Sequence, residues 1–147
     1  MNIQTSYFGE VEIDEKDILN FPKGILAFEE FNKFVIINST EEELPFSWLQ
    51  SIDEKDVAFI MIDPFLFKKD YEVDLSDKVI EELAIESESD VAIYTFLVIP
   101  EQVDQMTANL TGPIVININK NLGKQVVLED KRYHTRHKII DEVNKGD

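Results

Sequence analysis

One nearly uncharged stretch, residues 106–128, most constrains what this chain can fold into. Isoleucines at every second position of residues 114–118 give the period of two that is typical of a half-buried strand. Gly112-Pro113 comes just before them, and proline forbids a continuing helix because its φ is locked and it has no N–H. Residues that tolerate positive φ follow the strand pattern. We therefore predict a β-hairpin that turns near Asn121 and Gly123.

Strand patterns recur along the rest of the chain, and one helix is predicted. The apolar or alternating runs that indicate strands are residues 3–5, 11–13, 34–37, 46–48, 57–62 and 91–99. Ser76 is the predicted N-cap of a helix that ends near Ile85. Because strands dominate, we predict a mostly β fold: a small antiparallel β-barrel, closed or nearly closed, with one or two short helices.

Length and residue usage exclude several classes of protein. The 147 residues fit one domain, 1–147, which can bury a core without disulfides, and the absence of cysteine excludes thiolate metal sites. The N-terminus lacks the charged and apolar regions of a signal peptide. The longest apolar runs fall well short of the roughly 20 residues that span a bilayer. We expect a cytoplasmic protein without a membrane segment.

The chain is strongly acidic, and this bears on its partners. A formal net charge of −16 would repel nucleic-acid phosphates and anionic lipid, so a basic protein is a better partner than RNA, DNA or a membrane. The alternative is that the charge only keeps the protein soluble. The candidate protein-binding carboxylates are those on the outer side of an alternating segment and of the predicted helix: Asp70, Glu72, Asp74, Glu81 and Glu82.

No pattern typical of catalysis stands out. His134 and His137 would meet at i, i+3 on a helix, but Arg132, Arg136 and Lys138 crowd the same segment and would oppose a metal cation. The serines lack a nucleophile-elbow context, and the glycine motifs that cradle phosphates are absent. We predict a protein that is not an enzyme and that uses no metal or other cofactor.

Four motifs, taken together, resemble the flagellar assembly factor FliW family. They are FPKGILAFEEF at 21–31, PFSWLQS at 45–51, VAFIMIDPFLF at 57–67, and TANLTGPIVIN with GKQVVL at 107–128. The resemblance extends from Met1 to about Tyr133. The tail, 131–147, is basic and then mixed in charge, a composition compatible with a flexible segment, and nothing is carried over to it.

The resemblance implies a noncatalytic binding protein with a β-barrel-like body. A member of this family would bind the RNA-binding translational regulator CsrA and also flagellin. It would keep CsrA from flagellin mRNA until flagellin takes its place, and so couple translation to flagellar assembly. We expect a monomer when it is free. The alternative function is an acidic chaperone or adaptor for another secretion or motility substrate.

A strip of uncharged polar residues suggests a flagellin site. Asn109, Thr111, Asn117 and Asn119 lie opposite the isoleucines in the strand pattern. A charge-poor strip is desolvated at less cost than an acidic one, and the break at Gly112-Pro113 would leave backbone groups for an added segment. We therefore predict that Asn117 and Asn119 contact flagellin near this break. The alternative is that the asparagines serve turns and ladder ends.

Overall fold

The structure, a computed structural model, describes residues 1–38 and 46–139. Strands β1 (Asn2–Thr5) and β2 (Gly9–Glu12) form an N-terminal hairpin, as the alternation around Gly9 predicts. Gly9 has φ +68°, a conformation that glycine adopts without strain. A 3-10 turn, Glu15–Asp17, follows directly. Its N-cap is Asp14, whose side chain accepts a hydrogen bond from Lys16 N, as that residue type at that position favours.

The remaining strands form one sheet that closes on itself in part. They are β3 (Leu19–Asn20), β4 (Lys33–Asn38), β5 (Phe46–Ser51), β6 (Ala58–Ile62), β7 (Val91–Val98), β8 (Thr107–Ala108), β9 (Ile114–Asn117), β10 (Leu122–Gln125) and β11 (His137–Lys138). The order is β11-β8-β7-β6-β5-β4-β3-β10-β9, and β7 also pairs with β9. That extra pairing closes a seven-stranded ring. Neighbours are antiparallel except β3 and β10, which are parallel. The predicted small, mostly β barrel is confirmed.

The ring encloses the main hydrophobic core. Its buried side chains are Leu19, Phe21, Ile25, Phe34, Leu49, Met61, Ile114 and Ile116. The predicted β9–β10 hairpin is confirmed and turns at Asn121, which has φ +54°. Gly123 is not a turn residue, contrary to the prediction. It lies within β10, where a Cβ would come 2.4 Å from the Phe21 ring, so close packing requires glycine there.

Two elements cover the outside of the barrel. Helix α1 (Asp77–Glu82) begins at Ser76, whose hydroxyl accepts a hydrogen bond from Val79 N, as predicted. It buries Val79 and Leu83 against the outer faces of β9 and β10. The helix ends before Ile85 because Ala84 takes φ +52°. The N-terminal hairpin covers β4 in the same way. None of the helices in the described part of the chain is long and apolar enough to cross a membrane.

The first part of the basic tail packs against the barrel. Tyr133 is buried, and its ring meets the Tyr71 ring edge-on at 4.7 Å between centroids. Strand β11 pairs with β8. Residues 131–139 are therefore held by an apolar contact and by backbone pairing, and residues 140–147 of the tail lie outside the described residues.

Candidate protein-binding surfaces

The acidic segment 70–75 is extended and is fixed to the barrel by two tyrosines. The Tyr71 hydroxyl donates a hydrogen bond to Leu110 O at 2.5 Å, and the Tyr133 hydroxyl accepts one from Glu72 N at 2.8 Å. Burial raises the pKa of Tyr71 above its ordinary value, so the hydroxyl stays protonated as a donor. Tyr71 is buried while Glu72 and Asp74 are exposed, as the alternation predicts. Within residues 1–38 and 46–139 the segment pairs with no strand, and the tyrosine side chains hold it against the barrel.

A groove of about 430 Å³ separates this segment from the end of α1 and the start of β7. We call it the acidic groove, and it is lined by Val73, Asp74, Leu75, Ile80, Ile85, Glu86, Ser87, Glu88 and Val91. The aliphatic residues are partly buried, while Asp74, Glu86 and Glu88 are exposed. Apolar walls beside exposed carboxylates suit a partner segment that carries both apolar and cationic side chains.

Glu82 is the centre of an ion-pair cluster rather than an available docking residue. Its carboxylate lies 2.6 Å from Lys124 Nζ, 3.4 Å from Lys23 Nζ and 4.0 Å from Lys78 Nζ. The hydrogen bond from Lys124 holds the pKa of Glu82 below its ordinary value. A basic partner would have to displace lysines of this chain to reach it, so the structure gives Glu82 a role within the fold.

Two further candidate acids are also paired within the chain. Asp70 lies 3.1 Å from Lys68 Nζ, and Glu72 lies 3.1 Å from the Arg132 guanidinium. The Lys68 hydrogen bond lowers the pKa of Asp70. Among the described residues, neither Asp74 nor Glu81 has an ion-pair partner. Of the five predicted acids, only Asp74 lines the acidic groove.

The prediction that Asn117 faces a partner is wrong, because its side chain is fully buried. Its Nδ2 donates to Leu83 O at 2.8 Å and to Ala84 O at 3.2 Å. Its Oδ1 accepts from Asn119 N at 3.0 Å and Lys120 N at 3.2 Å. Helix α1 covers this face of β9, and one amide satisfies both the carbonyls after the helix and the amides of the turn. Asn117 therefore fits the alternative stated above, in which the asparagines stabilise turns and strand ends.

The neighbouring asparagines also form hydrogen bonds within the chain. Asn119 is exposed, and its Nδ2 donates to Asp90 Oδ1 at 2.6 Å. Asn109 Oδ1 accepts from Gly112 N at 2.9 Å and so shapes the turn before Pro113. Asn109 therefore shapes local backbone, whereas Asn119 bonds to a side chain at the surface, and with Asn117 buried these residues do not form one continuous exposed strip.

Strand β9 also offers no edge to an added segment, contrary to the prediction. It pairs with β10 on one side and β7 on the other. At the break itself, Pro113 O accepts from Val126 N at 2.9 Å, and Gly112 O accepts from Gln125 Nε2 at 3.1 Å. Gly112 and Pro113 are buried. The proline interrupts the chain between β8 and β9 without exposing backbone groups.

The histidine pair is not on a helix. His137 belongs to β11, and the two imidazole rings lie 6.1 Å apart between centroids and nearly parallel. Within residues 1–38 and 46–139, no three or more histidine or acidic side chains converge as a metal site would require.

Sequence reasoning missed the acidic groove as a unit. Leu75, Ile80 and Ile85 come from an extended segment, a helix and the loop after it, so no single periodic pattern contains them. The useful signal is the pair Glu86 and Glu88, which flank the predicted end of the helix and stand beside aliphatic residues. Such a signal locates the groove only once the turn at Ala84 is known.

Comparison with known proteins gives consistent matches over almost the whole chain. The FliW protein family model matches residues 2–139. The flagellar assembly factor FliW of Alkaliphilus metalliredigens (strain QYMF) is 43% identical over 145 residues, which are 99% of this chain and 90% of that protein. Its counterpart from Caldicellulosiruptor saccharolyticus is 45% identical over 144 residues, 98% of this chain and 93% of the relative. A crystal structure of the flagellar assembly factor FliW superposes with a TM-score of 0.89 at 44% identity, covering 95% of this chain and 96% of that one.

Proposed function

Because the chain belongs to the FliW family, we propose that it is a noncatalytic flagellar assembly factor that sequesters CsrA and binds flagellin in the cytoplasm. CsrA held by this protein would not repress flagellin mRNA. Flagellin that accumulates would take the place of CsrA, and the released regulator would stop further translation. The acidic groove is the observation that carries the proposal for CsrA.

Charge supports CsrA as the kind of partner that this surface fits. An RNA-binding protein needs a basic surface to hold phosphates, and this chain has a formal net charge of −16. Opposite charges speed association, and an acidic protein docked beside an RNA site lowers the local positive potential. RNA binding would then weaken even where the RNA site itself stays uncovered.

The acidic groove is a better docking surface than the paired carboxylates near it. Asp74 and Glu88 are exposed, and neither has an ion pair in the described part of the chain. Glu72 and Glu82 are engaged by Arg132 and Lys124, so a cationic partner would exchange one ion pair for another. The walls of the groove add apolar area, which supplies affinity that surface charge alone does not.

For flagellin we propose a footprint that overlaps the acidic groove, because overlap would make the binding of the two partners mutually exclusive and so produce the switch. The buried Asn117 rules out the asparagine strip as that footprint. A competition titration tests the mutual exclusion that overlap requires. Unlabelled flagellin should release labelled CsrA from the protein, and a ternary complex that forms without loss of CsrA would contradict competition.

The CsrA site is tested by reversing two groove charges. Asp74→Lys combined with Glu88→Lys should weaken CsrA binding by about tenfold at low salt, mostly through slower association. The matched control is Asp53→Lys with Glu101→Lys, which reverses two exposed carboxylates that do not line the acidic groove and so keeps the same net charge. Equal affinities of the two double variants would reject the groove as the CsrA site.

Affinity purification from a flagellated host separates this function from a general adaptor. The proposal predicts that CsrA and flagellin copurify with the chain. Recovery of a different secretion or motility substrate in their place would favour the acidic chaperone or adaptor.

A further inference from the structure

A second groove, of about 570 Å³, lies at one end of the barrel. We call it the barrel mouth. It is bounded by the second half of β4, by the end of the N-terminal hairpin and the 3-10 turn that follows, and by Tyr94 and Ile118 on β7 and the β9–β10 turn. It exists because β3 has only two residues. Strand β3 pairs with β4 at Lys33 and Phe34 and gives way to the 3-10 turn beyond them.

The missing length of β3 leaves part of β4 with an unpaired edge. Lys33 O accepts a hydrogen bond from Ile52 N, so the backbone N–H and C=O groups of the odd-numbered residues of β4 point towards β5. By the alternation of an antiparallel ladder, the backbone groups of Ile36 and Asn38 face the opposite way, towards the barrel mouth. No strand pairs with them there among the described residues, and no other backbone or side-chain partner is present for these groups in that part of the chain. A short strand edge is therefore available for pairing.

An apolar floor and an acidic rim surround this strand edge, and together they favour a segment that carries both apolar and cationic side chains. Tyr94 is half-buried and Ile118 is 53% exposed, so the floor can receive an apolar side chain. The rim carries the exposed carboxylates of Glu12, Asp14 and Asp17. The hydrogen bond from Lys16 N lowers the pKa of Asp14, which keeps it charged at neutral pH.

Among the described residues, two cations lie near these three carboxylates: Lys16 and the N-terminal ammonium, which donates a hydrogen bond to Ile13 O at 2.9 Å. Lys16 Nζ lies 3.6 Å from Asp14, and its side chain is 79% exposed. The rim therefore keeps a net negative charge over an apolar floor and a free strand edge. A segment that pairs here would form hydrogen bonds with the free strand edge. It would also cover the apolar floor with one side chain and place cationic side chains beside the rim carboxylates.

We propose that the barrel mouth binds an extended segment of a partner protein, which adds as a short strand along Ile36–Asn38. The segment carries lysine or arginine side chains towards the rim and an apolar side chain towards Tyr94 and Ile118. Backbone hydrogen bonds provide affinity, and the two kinds of side chain provide selectivity. The barrel mouth shares no lining residue with the acidic groove, so this site goes beyond the proposed function and needs neither CsrA nor flagellin.

The experiment uses a synthetic peptide of alternating lysine and valine with one central phenylalanine. Titration into the isotopically labelled full chain, followed by amide NMR, should shift the Ile36 and Asn38 amides with saturation. A peptide with glutamate in place of lysine should produce no such shifts. N-methylation of the amides that would pair with β4 should weaken binding by at least about tenfold, because it removes the backbone donors.

Variants of the chain separate this site from general attraction to an acidic protein. Glu12→Lys with Asp17→Lys should weaken peptide binding about tenfold, and Ile118→Asn, which removes the apolar contact without adding charge, should weaken it too. The acidic-groove variant Asp74→Lys with Glu88→Lys should leave it unchanged. Shifts that spread over the acidic groove, or equal binding of the N-methylated peptide, would overturn the proposal. Because the CsrA experiment uses other variants and another ligand, either hypothesis can fail alone.

Discussion

Replacing Asn117 by alanine should cost far more stability than replacing Asn119, two residues away. Asn117 is fully buried and makes hydrogen bonds through both ends of its amide. The carbonyls of Leu83 and Ala84 would each lose a donor, at about 1 kcal/mol apiece. The two turn amides would lose an acceptor, but water reaches them and offsets part of that loss, leaving about 1 kcal/mol together. The total is about 3 kcal/mol.

Chemical and thermal denaturation measure this difference. A loss of about 3 kcal/mol should lower Tm by roughly 6–12 °C for a chain of this size. Asn119→Ala is the matched control, because it removes one exposed hydrogen bond to Asp90 and should cost less than about 0.5 kcal/mol. If both variants unfold at the same denaturant concentration, Asn117 does not hold the turn after α1 to β9.

Three further predictions concern packing and pH. Gly123→Ala should destabilise the barrel by about 1–3 kcal/mol in urea denaturation, because its Cβ would meet the Phe21 ring, and a neutral result would refute that contact. The pKa of Tyr71 is raised by burial, so stability should fall as the pH rises above 10.0, its ordinary value, and Tyr71→Phe should remove that part of the decline. Arg132 lowers the pKa of Asp130 to about 2, so its stabilising effect should be lost as the pH falls from about 4 to about 2. Urea midpoints across that range should show a smaller acid decline in Arg132→Ala, and an unchanged decline would contradict the pairing.

Local patterns predict much of this fold because they act through neighbours in sequence. Ser76 caps α1, and Asn121 takes the positive φ of the β9–β10 turn, as their side chains favour. The strand runs are also found by their alternation. Closure of the ring is different, because β7 pairs with β9 from Tyr94↔Ile114, 20 positions apart, to Val91↔Asn117, 26 positions apart, and no local pattern connects such residues. The sequence supports a closed or nearly closed barrel but does not identify the strands that close it.

The candidate site is predicted less well, since exposure depends on what covers a face. The alternation places Asn117 opposite the isoleucines correctly, but α1 buries that face and the amide serves the backbone there. Glu82 lies on the outer side of its helix, yet Lys124, 42 residues away, engages it. Negative charge in the sequence thus indicates a basic partner, while the carboxylates that remain unpaired are known only from the tertiary contacts.

The most direct test of the proposed function is whether this protein removes CsrA from RNA. Fluorescence anisotropy of a labelled flagellin-leader RNA bound to CsrA should fall as the chain is added, and it should rise again when flagellin is added in excess. The Asp74→Lys, Glu88→Lys variant should need about tenfold more protein for the same release. Two results would contradict sequestration through the acidic groove. In the first, the RNA stays bound although the chain demonstrably occupies CsrA. In the second, the wild type and this variant release the RNA equally.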